Sequence, residues 1–216
     1  MISAEKWWSV MGNYNLTIFP VQIILYVFSL LITIYFFMKP GRVISTVIKI
    51  YFTLSFSWIG IVLFFILGKD LKLYIPQVIL FLSLSALFFI DIFRKRIVFR
   101  LQDKKSIRVL AVIGFILVFV YPLIGLLVGH TYPHMLLPGS FPCPTAALAL
   151  LFLTMALPHV TRLSYFLLLF WAIPFPILIQ IPQFGVFEDA VMLLVGLYSL
   201  ILFVINWRKI KGGWII

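Results

Sequence analysis

Acidic residues are scarce in this chain: six Asp and Glu stand against seventeen Lys and Arg, for a formal net charge of +11. Charge of either sign is also sparse. Charged residues make up 11% of the 216 residues, and hydrophobic residues 64%, whereas a soluble domain carries about 25% charged residues. A water-soluble protein of this composition would have too few polar groups to cover its surface. Cysteine is nearly absent, and the single Cys143 excludes an internal disulfide. There is no Walker motif, no Gly-rich dinucleotide fingerprint, no zinc-ribbon cysteine pair and no zinc-protease motif. The final apolar run holds no lysine for a retinal Schiff base, and no run is arginine-rich as a voltage sensor would be. No internal repeat is visible.

What is present is a series of long uncharged apolar runs separated by short charged segments. A membrane span takes about 20 residues, or roughly 30 Å of helix. The runs predict an all-α, polytopic transmembrane helix bundle in one domain covering 1–216. The spans are expected near 17–38, 50–68, 73–93, 109–128, 145–161, 163–181 and 190–207. The fifth is the shortest, with Pro158 and His159 closing it. Six spans with a re-entrant fifth segment is the alternative. The first run is followed by Lys39-Pro40-Gly41-Arg42, not by a small-residue cleavage site, so it reads as a retained span.

Loop charge sets an expected orientation. One set of loops holds Lys39, Arg42, Lys49, the cluster Arg94 to Arg108, Arg162, Arg208, Lys209 and Lys211, fourteen basic residues in all. The other holds Lys6, Lys69 and Lys72. The net charge divides into about +12 and −1, which predicts an outside amino terminus and a cytoplasmic carboxyl terminus. The basic balance thus serves topology and anionic headgroups, not nucleic acid. Arg94, Lys95, Arg96, Arg100, Lys104, Lys105 and Arg108 are the expected lipid contacts, at about 1 kcal/mol per basic residue near the surface. The interleaved Ile97, Val98, Phe99 and Leu101 fit a segment lying in the interface. Asp91 is expected to pair locally with Arg94 or Lys95. Trp7, Trp8, Tyr14, Trp207 and Trp214 read as interfacial anchors. Asn15-Leu16-Thr17 fits a glycosylation sequon.

Polar groups inside apolar runs need explaining, because hydrocarbon penalises them. Gln22, Gln77 and Gln180 fall near the predicted outer ends of their spans, and Glu188-Asp189 opens the last one. The acids could cap the helix or line an outward cavity. The segment from Gly129 to Pro144 holds four prolines, two histidines and the only cysteine. An ordered loop of this kind packs into the bundle end. His130, Tyr132, His134 and Cys143, with Glu188 and Asp189 and the three glutamines, are the candidate ligand-binding residues. His130, His134 and Cys143 are also a candidate metal set, although Pro133 opposes a helix that would put the histidines on one face. Pro122 is expected to kink the fourth span, and Pro174 and Pro176 to break the sixth.

Trp7-Trp8, Tyr14-Asn15, Pro20 and Gln22, then Gly129-His130-Thr131-Tyr132-Pro133, Pro142-Cys143-Pro144-Thr145, Trp171, Glu188-Asp189 and Gly196 carry a resemblance. The chain resembles an uncharacterised prokaryotic family of multi-span membrane proteins, a domain of unknown function. That resemblance implies a bacterial or archaeal cell membrane, directs attention to His130, Tyr132, Pro142, Cys143 and Asp189, and lends no activity. The chain departs from it at Ile173-Pro174-Phe175-Pro176, where small residues are expected, which puts close packing there in question. The leading functional reading is small-ligand or ion binding or transport at an outward-facing site. A metal- or haem-dependent redox enzyme using the His130/His134/Cys143 loop is second. A structural or lipid-interacting subunit, alone or with a protein partner or a second copy, is third. No cofactor is specified by the sequence.

Overall fold

The computed structural model describes residues 3–71 and 74–210. Lys72, Lys211 and Trp214, expected in loops or at an interface, lie outside the described residues. Among the described residues every regular element is a helix, with no strand. The elements are α1 (Ala4–Ile18), α2 (Val21–Met38), α3 (Arg42–Trp58) continuing as a π-helix over Ile59–Leu67, and α4 (Tyr74–Arg94). Then come α5 (Lys105–Phe119), α6 (Tyr121–Leu127), α7 (Pro142–Ala156), α8 (Arg162–Ala172), a π-turn over Pro176–Gln180, α9 (Ile181–Phe184) and α10 (Asp189–Asn206).

Among the described residues five helices are long and apolar enough to cross a membrane. They become six when α5 and α6, bent by 56° at their junction, count as one passage. The bend falls just before Pro122, which cannot donate a backbone hydrogen bond. The second break, between α8 and α9, falls at Ile173 to Phe175, where Pro174 and Pro176 interrupt the ladder. The outer faces are apolar: α2 exposes Ile24, Leu31 and Met38, and α10 exposes Leu194, Ile201, Val204 and Ile205.

The predicted fifth span is α7, and its shortness has a spatial reason. Fifteen residues reach only about 22 Å, yet every one of them is buried. It runs through the middle of the bundle from the 128–141 loop to the basic end, so it meets helices on all sides. Its residues are small or aliphatic almost all round, which lets neighbours approach closely. Thr145 and Thr154 turn their hydroxyls back to Phe141 O and Leu151 O, so neither is stranded there. On α5, Gly114 faces Leu151 so closely that a Cβ would lie 2.7 Å from a Leu151 methyl. On α10, Gly196 receives Ala172 and Ile173 within 3.2 Å of its Cβ position, so close packing survives the departure at Ile173.

α1 lies outside the expected spans, because it is amphipathic rather than apolar. Ser3 caps it, its hydroxyl accepting from the Lys6 amide at 3.2 Å. Trp7, Val10, Met11, Tyr14 and Ile18 form its buried stripe. Trp7 and Tyr14 are therefore core residues, not interfacial anchors. Lys6 Nζ meets Asp70 Oδ2 at 2.7 Å, tying α1 to the turn after the π-helix. The hydrogen bond and charge of that ammonium hold the exposed Asp70 carboxyl below its ordinary range.

The basic end corrects further expectations. Lys49 is buried rather than in a loop, and its Nζ bonds Asp91 Oδ2 at 2.7 Å. Asp91 therefore pairs with Lys49, not with Arg94 or Lys95. Its carboxylate also accepts the amides of Arg96 and Ile97, which satisfies the oxygens that burial would otherwise penalise. In the 95–104 segment Ile97 and Phe99 pack into the bundle end, while Lys95, Arg96, Arg100, Asp103 and Lys104 stay exposed. Ile97 and Phe99 are buried, Phe99 N donates to Ser45 Oγ at 3.0 Å, and Arg100 N donates to Met155 O at 3.2 Å.

Candidate functional site

The proline-rich loop closes one end of the bundle under α1. Gly129 and Gly139 adopt φ values of +97° and +95°, which a side chain would oppose. Asn15 Nδ2 donates to Pro133 O at 2.6 Å and to Met135 O at 2.8 Å. Tyr14 OH donates to Ser140 O at 2.8 Å and accepts from Trp58 Nε1 at 2.9 Å. Gly139 N donates to Thr145 Oγ1 at 2.7 Å. The loop is thus fastened from α1 and α7, with Trp58 of α3 holding the Tyr14 hydroxyl. Asn15 is 1% exposed with its amide committed, so the sequon is structural and closed to glycosylation.

Glu188 and Asp189 lie below this lid at the start of α10, 1% and 0% exposed. Glu188 stands at the N-cap position without making a side-chain capping bond. Instead it faces the loop: His130 Nδ1 lies 2.8 Å from Oε1 and 3.0 Å from Oε2. Where Nδ1–H donates to the carboxylate, Nε2 is the ring nitrogen that Glu188 does not engage. The Trp8 ring covers the imidazole at 4.1 Å between centroids, and Trp8 Nε1 donates to Phe184 O at 2.8 Å. Trp8 is part of the site, not an interfacial anchor. Asp189 turns to the other side, where Oδ1 accepts from Tyr121 OH. Its Oδ2 is buried and has no hydrogen-bond partner among the described residues.

The bend between α5 and α6 supplies Tyr121 and Gly125. A Cβ at Gly125 would come within 3.2 Å of Glu188 Oε1, so glycine permits the carboxylate to sit there. Gly125 O also accepts His130 N at 2.8 Å, which fixes the backbone carrying the imidazole. Sequence reasoning misses the roles of Trp8, Tyr121 and Gly125. Only the Tyr121-Pro122 step inside an apolar run hints at them.

None of His130, Glu188, Tyr121 and Asp189 lines the cavity of about 20 Å³ that lies between α1, the loop end and α7, which has room for an ordered water and too little for an organic ligand. Gln77, Gln180, Cys143, Trp171, Trp7 and Phe141 line it. Gln77 Oε1 and Gln180 Oε1 are buried there without partners among the described residues, and the Trp171 side chain lies against the Cys143 thiol. Gln180 is tied to the acids through backbone: Val186 N donates to Gln180 O, and Asp189 N to Val186 O.

Other candidates fall outside this centre. Gln22 Nε2 donates to Asn15 O at 3.0 Å, and Gln22 borders a separate groove with Tyr132. Tyr132 is half exposed against Phe19. His134 packs on Trp8 and against Gly12. The metal set His130, His134 and Cys143 does not assemble: among the described residues no three His, Cys, Asp or Glu side chains are grouped to hold a metal ion. The reason is local, since His130 is turned to Glu188 while Cys143 is in α7, beside Trp171 in the cavity wall.

Comparison with protein families gives a match over residues 4–212 to a family of unknown function designated DUF6064. The chain belongs to that family. No curated protein and no solved structure matches it. The match takes in α1 through α10, so the lid and the buried acids lie within the family's extent.

Proposed function

We propose that this chain is an integral membrane protein that accepts and passes protons at the His130–Glu188 and Tyr121–Asp189 centre. Adjacent buried carboxyls carry the reading. Glu188 and Asp189 are held by a histidine and a tyrosine, and no lysine or arginine is within ion-pair distance of either among the described residues. Buried acids are costly in an apolar bundle and characteristically mark proton or ion pathways. Both of these side-chain partners can themselves donate or take a proton. The cavity lined by Gln77 and Gln180 has the size for water rather than for an organic substrate.

The exposed apolar faces support membrane insertion, since a monomer in water would leave them uncovered. In this reading α2, α3 with its π-helix, α4, α5–α6, α8–α9 and α10 cross a bacterial or archaeal cell membrane around α7. The lid and acids face outward and the basic end faces the cytoplasm. Glu188 and Asp189 then lie buried at the outer end of the bundle beside a broken span, the arrangement that transporters use for ion sites.

The test is reconstitution into liposomes with a trapped pH-sensitive dye and an imposed membrane potential. The proposal expects wild-type protein to pass protons faster than empty liposomes, and E188Q to lose that excess. Wild-type flux equal to that of empty liposomes would overturn it.

A further inference from the structure

At the opposite end, an open cleft of about 360 Å³ lies between the first turns of α3 and the 95–100 segment. Arg42, Ser45, Thr46 and Lys49 line one wall at helical spacing. Lys95, Ile97, Val98 and Arg100 form the other. Ser45 Oγ accepts Phe99 N at 3.0 Å and pins the two walls together. Lys95 takes a left-handed backbone (φ 54°), which turns the chain out of α4 and back along α3.

The charge in this cleft is unbalanced. Lys49 is neutralised by Asp91. Arg42, Lys95 and Arg100 have no carboxylate within ion-pair distance among the described residues. The only other acid at this end is Asp103, which is not in the cleft. Gly41 precedes α3 with no side-chain cap, so the first-turn amides add to the positive wall. Three unpaired cations around a polar cleft are the chemistry that holds a phosphate oxyanion.

We infer that this cleft binds a phosphate group, the one at hand in a membrane being that of an anionic phospholipid. Its rim is apolar: Val43 is 77% exposed beside Arg42, which gives acyl chains a surface while the phosphate enters the cleft. The inference does not rest on the proton centre at the other end.

The test is native mass spectrometry of the purified full chain titrated with short-chain phosphatidic acid. Diacylglycerol of the same chain length is the control without phosphate. Phosphatidic acid is expected to bind and diacylglycerol not. The variant R42Q/K95Q/R100Q is expected to weaken binding by roughly tenfold or more, and K104Q/K105Q/R108Q, which removes equal charge outside the cleft, by less than about threefold. Equal losses in the two variants, or equal binding of the two lipids, would overturn the site. Competition with inorganic phosphate separates the sources. Displacement means that the phosphate group alone suffices; persistence of the lipid complex means that the site takes phosphate as part of a lipid.

Discussion

The imidazole of His130 meets both carboxylate oxygens of Glu188, at 2.8 and 3.0 Å, although 58 residues separate them in the chain. The contact joins the proline-rich loop to the last long helix. Breaking one partner leaves the other buried and alone, which costs about 3–5 kcal/mol for a charged group. H130A is therefore expected to lower the thermal unfolding midpoint far more than H134A, since the His134 ring makes no ion pair among the described residues. Equal midpoints would show that the pair contributes nothing.

Gly125 gives a finer probe of the same contact. G125A places a methyl 3.2 Å from Glu188 Oε1 and 3.8 Å from His130 Cβ. Overpacking of this kind costs about 1–3 kcal/mol. The variant is expected to fold with reduced thermal stability and reduced proton flux, because the carboxylate must shift. Unchanged flux and midpoint would mean that the carboxylate has room.

Lys49 and Asp91 should behave as a coupled unit. K49M leaves Asp91 buried without its cation and is expected to cost about 3–5 kcal/mol. K49M/D91N removes the stranded charge, while the side-chain carbonyl of the substituted asparagine can still accept the amides of Arg96 and Ile97. The double variant is expected to recover most of the loss by denaturant unfolding. A double variant no better than K49M would contradict the pairing.

Cys143 and Asn15 are both closed to reagents. Cys143 is 4% exposed, so a membrane-impermeant maleimide is expected to label it only after denaturation. Labelling of the native protein at the rate of a free thiol would mean that the lid opens. N15A is expected to release the loop it holds at Pro133 and Met135, read as faster proteolysis between residues 128 and 141.

The apolar runs of α2 and α4 are legible because their residues contain almost no charge and their ends carry it. α3 starts eight residues before the run that announces it. Arg42 and Lys49 read as loop charge in the sequence, and only folding brings Asp91 to Lys49. α1 carries a readable signal, the spacing of Trp7, Val10, Met11, Tyr14 and Ile18, but an apolar-run criterion passes over an amphipathic stripe. At the site, His130, Glu188 and Asp189 stand out because such residues are rare in hydrocarbon. Their partners do not. A tyrosine, a glycine and a tryptophan are ordinary in an apolar sequence, and their roles depend on a bend at Val120 and a lid that meets α1 from far along the chain.

Proton flux through D189N tests the central claim most directly. Asp189 Oδ2 is a buried oxygen without a partner among the described residues, and asparagine keeps its shape while removing its ability to ionise. In liposomes under an imposed potential, D189N is expected to fall to the rate of empty liposomes while its thermal unfolding midpoint stays at or above that of wild type. D189N that carries protons at the wild-type rate would contradict the account.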